Sequence, residues 1–420
     1  MCKTCNECVG ATLKQQIRLS YVLFDTIFAI LAIVIVYGLS TVLTQSDNIL
    51  RLLRDYVKCP ADEDLQCLGI SAVYRISLSL VIVHVFVLFW LLFRNSCSKN
   101  FNEGVWLVKI LMVVGTFIGF FFVSNSVFEV YSKVIMVLSV IFLLFQIIMI
   151  IDLFYIWGTR WIQRYDAGQK GYAYPLIGFS AILIAATLYV IIRSYIWFAG
   201  CGVGTLGVTL TLALIVLSLV FLFARTNPNG SLLTCSAVAA YSMFLTWSGL
   251  SNMHEECNPV LYDEATTIVH LVFGALIILV VLFYLTIGTS EKSSGFVAPG
   301  GVDIAKGVLV DNTNEPKPEY KDEEKGKPEA KQTTAARNAD LSMYQNNGFI
   351  YFHIVMIFAC FYFAMILSNW GQAVVKGGSF FQLGASELGM WIKLGAAWAT
   401  MALYNWTLIA PKIFPNRDFS

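Results

Sequence analysis

The sequence predicts an all-α integral membrane protein with about ten transmembrane helices, and three observations carry that prediction. Hydrophobic residues make up 57% of the 420 residues and charged residues only 13%, with a mean hydropathy of +0.70, far from the composition of a water-soluble domain. The apolar residues gather in continuous runs, most near the roughly 20 residues a helix needs to cover about 30 Å of hydrocarbon. The runs do not alternate polar and apolar, as the strands of an outer-membrane barrel do. Helices remain, because they satisfy their own backbone hydrogen bonds in lipid. A formal net charge of +1 gives no reason to expect a nucleic-acid partner.

In chain order the spans are 17–44, 72–93, 104–123, 127–157, 172–197, 204–224, 231–250, 265–287, 348–368 and 388–410. The first follows a segment, 1–16, whose Cys2, Cys5 and Cys8 form a C-x-x-C-x-x-C run. Three readings of these thiols stay open: reversible acylation beside a membrane helix, unmodified cysteines, or an iron–sulfur or zinc site needing a fourth ligand such as Cys97. The run 17–44 is too long for a cleaved signal peptide and has no small-residue cleavage site, so it is expected to act as its own insertion signal. The second span carries His84 near its middle, where a hydrogen-bonded packing histidine competes with a proton relay. The third carries Lys109 beside Trp106, together with a Gly115-x-x-x-Gly119 spacing that would let another helix approach closely.

The fourth span is unlike the rest. It runs from 127 to 157 without Gly or Pro, about 46 Å as a helix against roughly 30 Å of hydrocarbon, so it must tilt or protrude. A tilted helix would prop two groups of helices apart and leave a lipid-facing crevice, with Gln146 at that crevice or against a neighbour. Glu129 and Lys133, at i and i+4 near its start, are placed for a local ion pair. The seventh span is dominated by small and hydroxyl residues and reads as a packing face. Glycosylation sequons occur at Asn229 and Asn405, the first on the expected cytoplasmic side and the second within a span, so neither should be used.

Between the eighth and ninth spans lies 290–347, rich in Gly, Pro, Lys and Glu. It cannot bury enough apolar surface to offset its ordering entropy and is expected to be a disordered cytoplasmic loop, either a tolerated linker or a docking and sorting segment. It divides spans 17–289 from 348–411, which a tail, 412–420, follows.

Lys and Arg in the short loops fall mainly on the side of the termini, which places both termini in the cytoplasm. The opposite side holds Cys59, Cys67, Cys201 and Cys257, where disulfides can persist; Cys59 with Cys67 is the favoured pair. Asp25, Lys109 and Asp152 fall in the cytoplasmic leaflet. A carboxylate paired with the Lys109 ammonium would form a polar seam at the inner mouth of a groove, and snorkelling or structural pairing is the alternative. Lys393, Arg193 and His270 are shallow on the outer side, where snorkelling accounts for them. Asp25, Lys109, Gln146, Asp152 and Lys393 are the candidate lipid-pathway residues. No phosphate-binding loop, nucleophile elbow or H-E-x-x-H motif is present and the four histidines are dispersed, so no enzyme activity, cofactor or metal is expected.

The segments SAVYRISLSL (71–80), YSMFLTWSGLSN (241–252) followed by CNP (257–259), and WTLIAPKIFPNRDFS (406–420) resemble the serine incorporator, or Serinc, family. The likeness extends to GVWLVKI around Lys109, to Asp152 with Trp157 and Trp161, to Ser368-Asn369-Trp370 and to WIKLGAAW around Lys393. The sequence departs in having three cysteines where the family has a longer Cys-rich leader, and in the short loop holding Cys59 and Cys67. The resemblance implies ten helices in two bundles around a long diagonal fourth helix. It also implies lipid-linked activity: the family is named for promoting serine entry into phosphatidylserine and sphingolipids, and members behave as non-selective, ATP-independent phospholipid scramblases.

The expectation is an integral protein of the plasma membrane or an endomembrane acting on membrane phospholipids, with homo-oligomers and with lipid-synthetic enzymes or trafficking proteins at 290–347 as further partners. Two alternatives stay open: a secondary carrier for serine or another small polar solute, and a scaffold for lipid-synthetic enzymes. A carrier needs a midplane cage at broken helices, for which Pro175 and scattered glycines are the only hints.

Overall fold

The computed structural model describes residues 5–43, 64–93, 96–227, 230–260, 263–288, 348–368, 370 and 386–414. Among them there is no strand. The α-helices are α1 (Cys5–Leu43), α2 (Asp64–Leu92), α3 (Ser96–Glu103), α4 (Trp106–Gly119), α5 (Asn125–Asp166), α6 (Ala173–Phe198), α7 (Gly202–Phe223), α8 (Leu232–Leu250), α9 (Glu264–Gly288), α10 (Gly348–Leu367) and α11 (Glu387–Ile413). Eight of these are long and apolar enough to cross a membrane, and α3 with α4, bent by 74°, raises the number to nine. Helix α11 covers the tenth expected span with 27 residues, but residues such as Gly395, Trp398, Tyr404, Asn405 and Trp406 leave even its charge-free stretch 394–411 less apolar than the other spans. The pairing of Cys59 with Cys67, the side chains of Cys2, Cys5 and Cys8, Asn229, and the segment 290–347 lie outside the described residues.

The third expected span is shorter than the sequence suggests. Helix α4 has 14 residues, about 21 Å, extended by a 3₁₀ turn at Phe120–Phe122. The chain breaks at Val105, whose φ of 55° puts a β-branched residue in the left-handed region, a strained choice. What holds the break is described with the site below. The Gly115 and Gly119 spacing makes no close helix contact: a Cβ at either would meet nothing within 4 Å.

The long helix is longer than expected. Helix α5 runs 42 residues from the Ser124 N-cap, about 63 Å, and continues through Gly158. A Cβ there would come 2.6 Å from Ser231 Oγ, the N-cap of α8, which accepts from Thr234 N at 3.1 Å. The glycine is therefore where α5 and the start of α8 pass each other.

Contacts sort the other long helices into two groups. Helices α1, α2, α4, α9 and α10 pack among themselves, as do α6, α7, α8 and α11, and α5 touches members of both. Its polar side chains follow that division. Gln146 Nε2 donates to Tyr241 OH of α8 at 3.2 Å, and Asp152 accepts from Tyr284 OH of α9 at 2.5 Å. The Glu129–Lys133 ion pair forms at 2.8 Å on the exposed face.

Helix α8 shows how burial works when the outside is lipid. Its small and hydroxyl residues place it inside, with 78% of its span buried against 17% for the more apolar α6. Close approach is the reason: a Cβ on Gly249 would lie 3.1 Å from Met390 O and 3.2 Å from Lys393 Cβ of α11. Beyond its end, Asn258 Nδ2 lies 3.3, 3.1 and 3.0 Å from the carbonyls of Leu250, Ser251 and Met253, taking up acceptors the helix leaves open. Cys257 is disulfide-bonded to Cys201 at the start of α7, with Cα atoms 5.7 Å apart. The TWSGLSN and CNP segments thus close one end of α8.

Candidate functional site

Four helices meet in a buried chain of polar side chains. Asp25 of α1, His84 of α2, His353 of α10 and Asn102 of α3 are at most 8% exposed. His84 Nε2 lies 2.9 Å from Asp25 Oδ2, His84 Nδ1 lies 2.9 Å from His353 Nδ1, and His353 Nε2 lies 3.0 Å from Asn102 Oδ1. Such groups cost free energy in an apolar interior unless they satisfy one another. The direction of the chain follows from the acceptor at its end. An amide oxygen only accepts, so His353 Nε2 carries a hydrogen; neutral His353 then accepts at Nδ1 from His84 Nδ1–H. The lone pair of His84 Nε2 is left facing the Asp25 carboxyl, and one proton shared between those two atoms closes the chain.

Lys109 joins the chain from the other end. Fully buried, its Nζ donates to Asn102 O at 3.0 Å and Gly104 O at 2.9 Å, and Tyr21 OH donates to Asn102 O at 2.9 Å. The ammonium also lies 4.2 Å from the Trp106 ring centroid and 4.7 Å from that of Tyr21. These contacts replace the expected ion pair with Asp25 or Asp152 and the expected snorkelling. The bend at Val105 frees the carbonyls at the end of α3, and a cation is favoured at that negative pole.

The structure therefore brings Asp25 and Lys109 into one network and leaves the other three candidates apart. Gln146 and Asp152 tie α5 to α8 and α9. Lys393 Nζ donates to Ser248 O of α8 at 3.3 Å. His270 is buried, not snorkelling; its ring centroid lies 4.4 Å from that of Trp247. Arg193 does keep an aromatic partner, 4.4 Å above the Trp197 ring. Asn405, in the sequon within a span, is buried and donates to Leu214 O at 3.3 Å.

Beside Asp25 a cavity of about 90 Å³ lies between α1, α2, α9 and α10. Its exposed wall is apolar: Asp25, Thr26, Ser77 and Cys360 also line it, but their polar atoms are turned into the helices behind it, and it reaches the lipid face through Ile30 and Leu279. No residue of α5 lines it, so this crevice is not the expected one along the long helix. Asp25, His84 and Cys360 offer three ligand atoms within 4.8 Å of one another. A second such group, Cys201, Glu255 and Cys257, has its two sulfurs joined in the disulfide.

Sequence reasoning missed His353, Asn102, Cys360 and Arg75. Each of His84 and His353 is a lone histidine in an apolar run, and the coincidence was the available signal that the four histidines are not all dispersed. Asn102 and Cys360 carried none. Arg75, within the SAVYRISLSL segment, is fully buried. It donates from Nε to Phe120 O at 3.0 Å and to Ser71 O and Oγ, with its guanidinium 4.3 Å from the Phe128 centroid. It fastens α2 to the turn after α4.

The chain matches the family model described as serine incorporator (Serinc) over residues 1–417. It is 25% identical to a protein of Nematostella vectensis named probable serine incorporator, covering 100% of this chain and 94% of that protein. A Monosiga brevicollis protein of the same name is 24% identical with the same coverage. Serine incorporator 3 of Mus musculus is 26% identical over 87% of this chain and 83% of its own length. With a whole-length match and a multi-helix apolar fold, the chain belongs to the serine incorporator family of membrane proteins.

Proposed function

We propose that this protein is an ATP-independent, non-selective phospholipid scramblase that acts in membrane lipid homeostasis, linked through that activity to serine incorporation into phosphatidylserine and sphingolipids. The observation that carries this reading is the polar chain behind a lipid-facing crevice. A headgroup leaving water loses its hydration, and fixed polar groups lower that cost while the acyl tails stay against the apolar walls of α1, α2, α9 and α10. Asp25, with Ser77 and Cys360 near it, is the polar foothold on the crevice. Lys109 acts at a distance, through Asn102 and His353. Transport runs down the lipid gradient, so no nucleotide site is needed.

Gln146, Asp152 and Lys393 hold helices together and stay off the pathway. Both termini face the cytoplasm of a cell whose plasma membrane or endomembranes hold the protein. The Cys201–Cys257 disulfide supports that orientation, since such a bond persists where its loops face an oxidising side. The 290–347 segment recruits lipid-synthetic or trafficking proteins.

The test uses purified full-length protein in liposomes with a fluorescent lipid in both leaflets. An impermeant quencher should remove more than the outer half of the signal. Loss that stops at half contradicts scrambling, and serine uptake by those same vesicles would assign the protein to carriers.

A further inference from the structure

We infer that Asp25, His84 and Cys360 form a binding site for a borderline-soft divalent cation of the zinc class. The argument begins with the polarity of the chain. Asn102 Oδ1 fixes His353 Nε2–H, and through it His84 Nδ1–H, so the His84 Nε2 lone pair points at Asp25 Oδ2, 2.9 Å away. Two acceptors facing each other need a cation between them, and a proton or a metal ion fills that role. What favours the metal is a third ligand. Cys360 Sγ lies 3.7 Å from the same carboxylate oxygen, and Asp25 Oδ1 is buried with no hydrogen-bond partner.

Two of the three ligand separations fit with small movements, and the third, His84 to Cys360, is within 4.8 Å. Tetrahedral ligation at zinc bond lengths places N and O ligand atoms about 3.3 Å apart and O and S about 3.5 Å apart. The Asp25–Cys360 distance already meets this, and Asp25–His84 opens by about 0.4 Å. The fourth position falls to Asp25 Oδ1, which has no other partner.

Charge balances as well. A carboxylate, a thiolate, a neutral imidazole and a divalent ion sum to zero, which a low-dielectric site favours. Binding displaces two protons, one from the Asp25–His84 pair and one from the Cys360 thiol, so the site is neutral before and after. The hydrogen bond from His84 Nδ1–H to His353 supplies the outer partner that fixes the tautomer of a metal-bound histidine. His353 and Asn102 are thus positioning residues, with Lys109 holding the far end of the chain. The ion would join α1, α2 and α10 at the wall of the crevice.

The experiment is titration of metal-stripped, full-length protein in detergent with Co²⁺ as the probe. Cys2, Cys5 and Cys8 are replaced by serine in every sample, the otherwise wild-type reference included, so that their C-x-x-C-x-x-C run supplies no sulfur. One ion per chain should bind, with the absorption of tetrahedral cobalt and a sulfur-to-cobalt charge-transfer band. Cys360→Ser, nearly the same size, should remove the charge-transfer band, whereas Cys97→Ser and Cys235→Ser should keep it. His353→Phe should weaken binding roughly 10- to 100-fold while retaining the spectrum. Sulfur in the first coordination shell of the zinc-loaded reference protein, seen by X-ray absorption, checks the assignment without any further substitution. Absence of stoichiometric binding by the folded reference protein overturns the inference and leaves a proton in the place of the metal. A band that survives in Cys360→Ser overturns it too. Neither readout depends on lipid transport, so this inference can fail while scrambling stands, and the reverse.

Discussion

The two groups of helices beside α5 both close hydroxyls on their own helices, as Thr26 does on Val22 O and Ser79 on Arg75 O, and differ in that one of them carries a buried chain of ionisable side chains. In α6, α7, α8 and α11 most hydroxyls bond within their own helix: Thr246 Oγ1 donates to Ser242 O at 2.9 Å, Ser218 Oγ to Leu214 O at 3.0 Å and Thr400 Oγ1 to Ala396 O at 2.7 Å. Such groups are satisfied before the helices meet and serve mainly to let them pack closely. In the other group Asp25, His84, His353 and Asn102 come from four helices and meet one another only once all four are assembled. A polar residue closed on its own helix is inexpensive and reads as packing. One that needs three partners is costly, and persists where it carries chemistry.

Breaking the costly network should give the largest effect. Asp25→Ala leaves the His84–His353 chain open at a buried end and should destabilise the protein by about 3–5 kcal/mol, measured by denaturation in mixed micelles. An intermediate effect is expected where packing is tight. Gly249→Leu drives a side chain into Met390 and Lys393 and should cost about 1–3 kcal/mol in the same assay, with the metal spectrum unchanged. The smallest is expected where the sequence suggested packing and the structure shows open space. Gly115→Ala with Gly119→Ala should leave stability unchanged or raise it by up to about 1 kcal/mol per site. A large loss there would mean that α4 meets a partner, such as a second copy, across its open face.

The membrane class, the number of long apolar runs and the unusual length of α5 were legible because lipid imposes a length and a composition on every crossing helix. The break at Val105 was not, since Gly104 before it reads equally as the loop residue that starts a span, and the contacts from Lys109 and Tyr21 that hold the bend appear only in the fold. Asp25 and Lys109 were visible as charges in apolar runs, but their partners were not. A carboxylate and an ammonium in one leaflet suggest each other, whereas the fold gives Asp25 an imidazole and Lys109 two backbone carbonyls. Gln146, Asp152 and Lys393 were visible in the same way, as polar residues in apolar runs at different depths. Only the tertiary contacts separate a residue tying two helices together from one beside a cavity. The resemblance pointed at TWSGLSN and CNP, and these residues turn out to build the closed end of α8.

The most direct test compares one residue from each group in the liposome assay. Asp25→Asn keeps the volume and a hydrogen-bonding group at the crevice but removes the carboxylate, and Thr246→Val removes a hydroxyl from the α7–α8 contact, where it lies 2.9 Å from Thr211 Oγ1. With both variants matched for folded protein, scrambling should slow markedly in Asp25→Asn and stay at the wild-type rate in Thr246→Val. Equal rates in the two, or slowing only in Thr246→Val, would contradict the assignment of lipid passage to the Asp25 crevice.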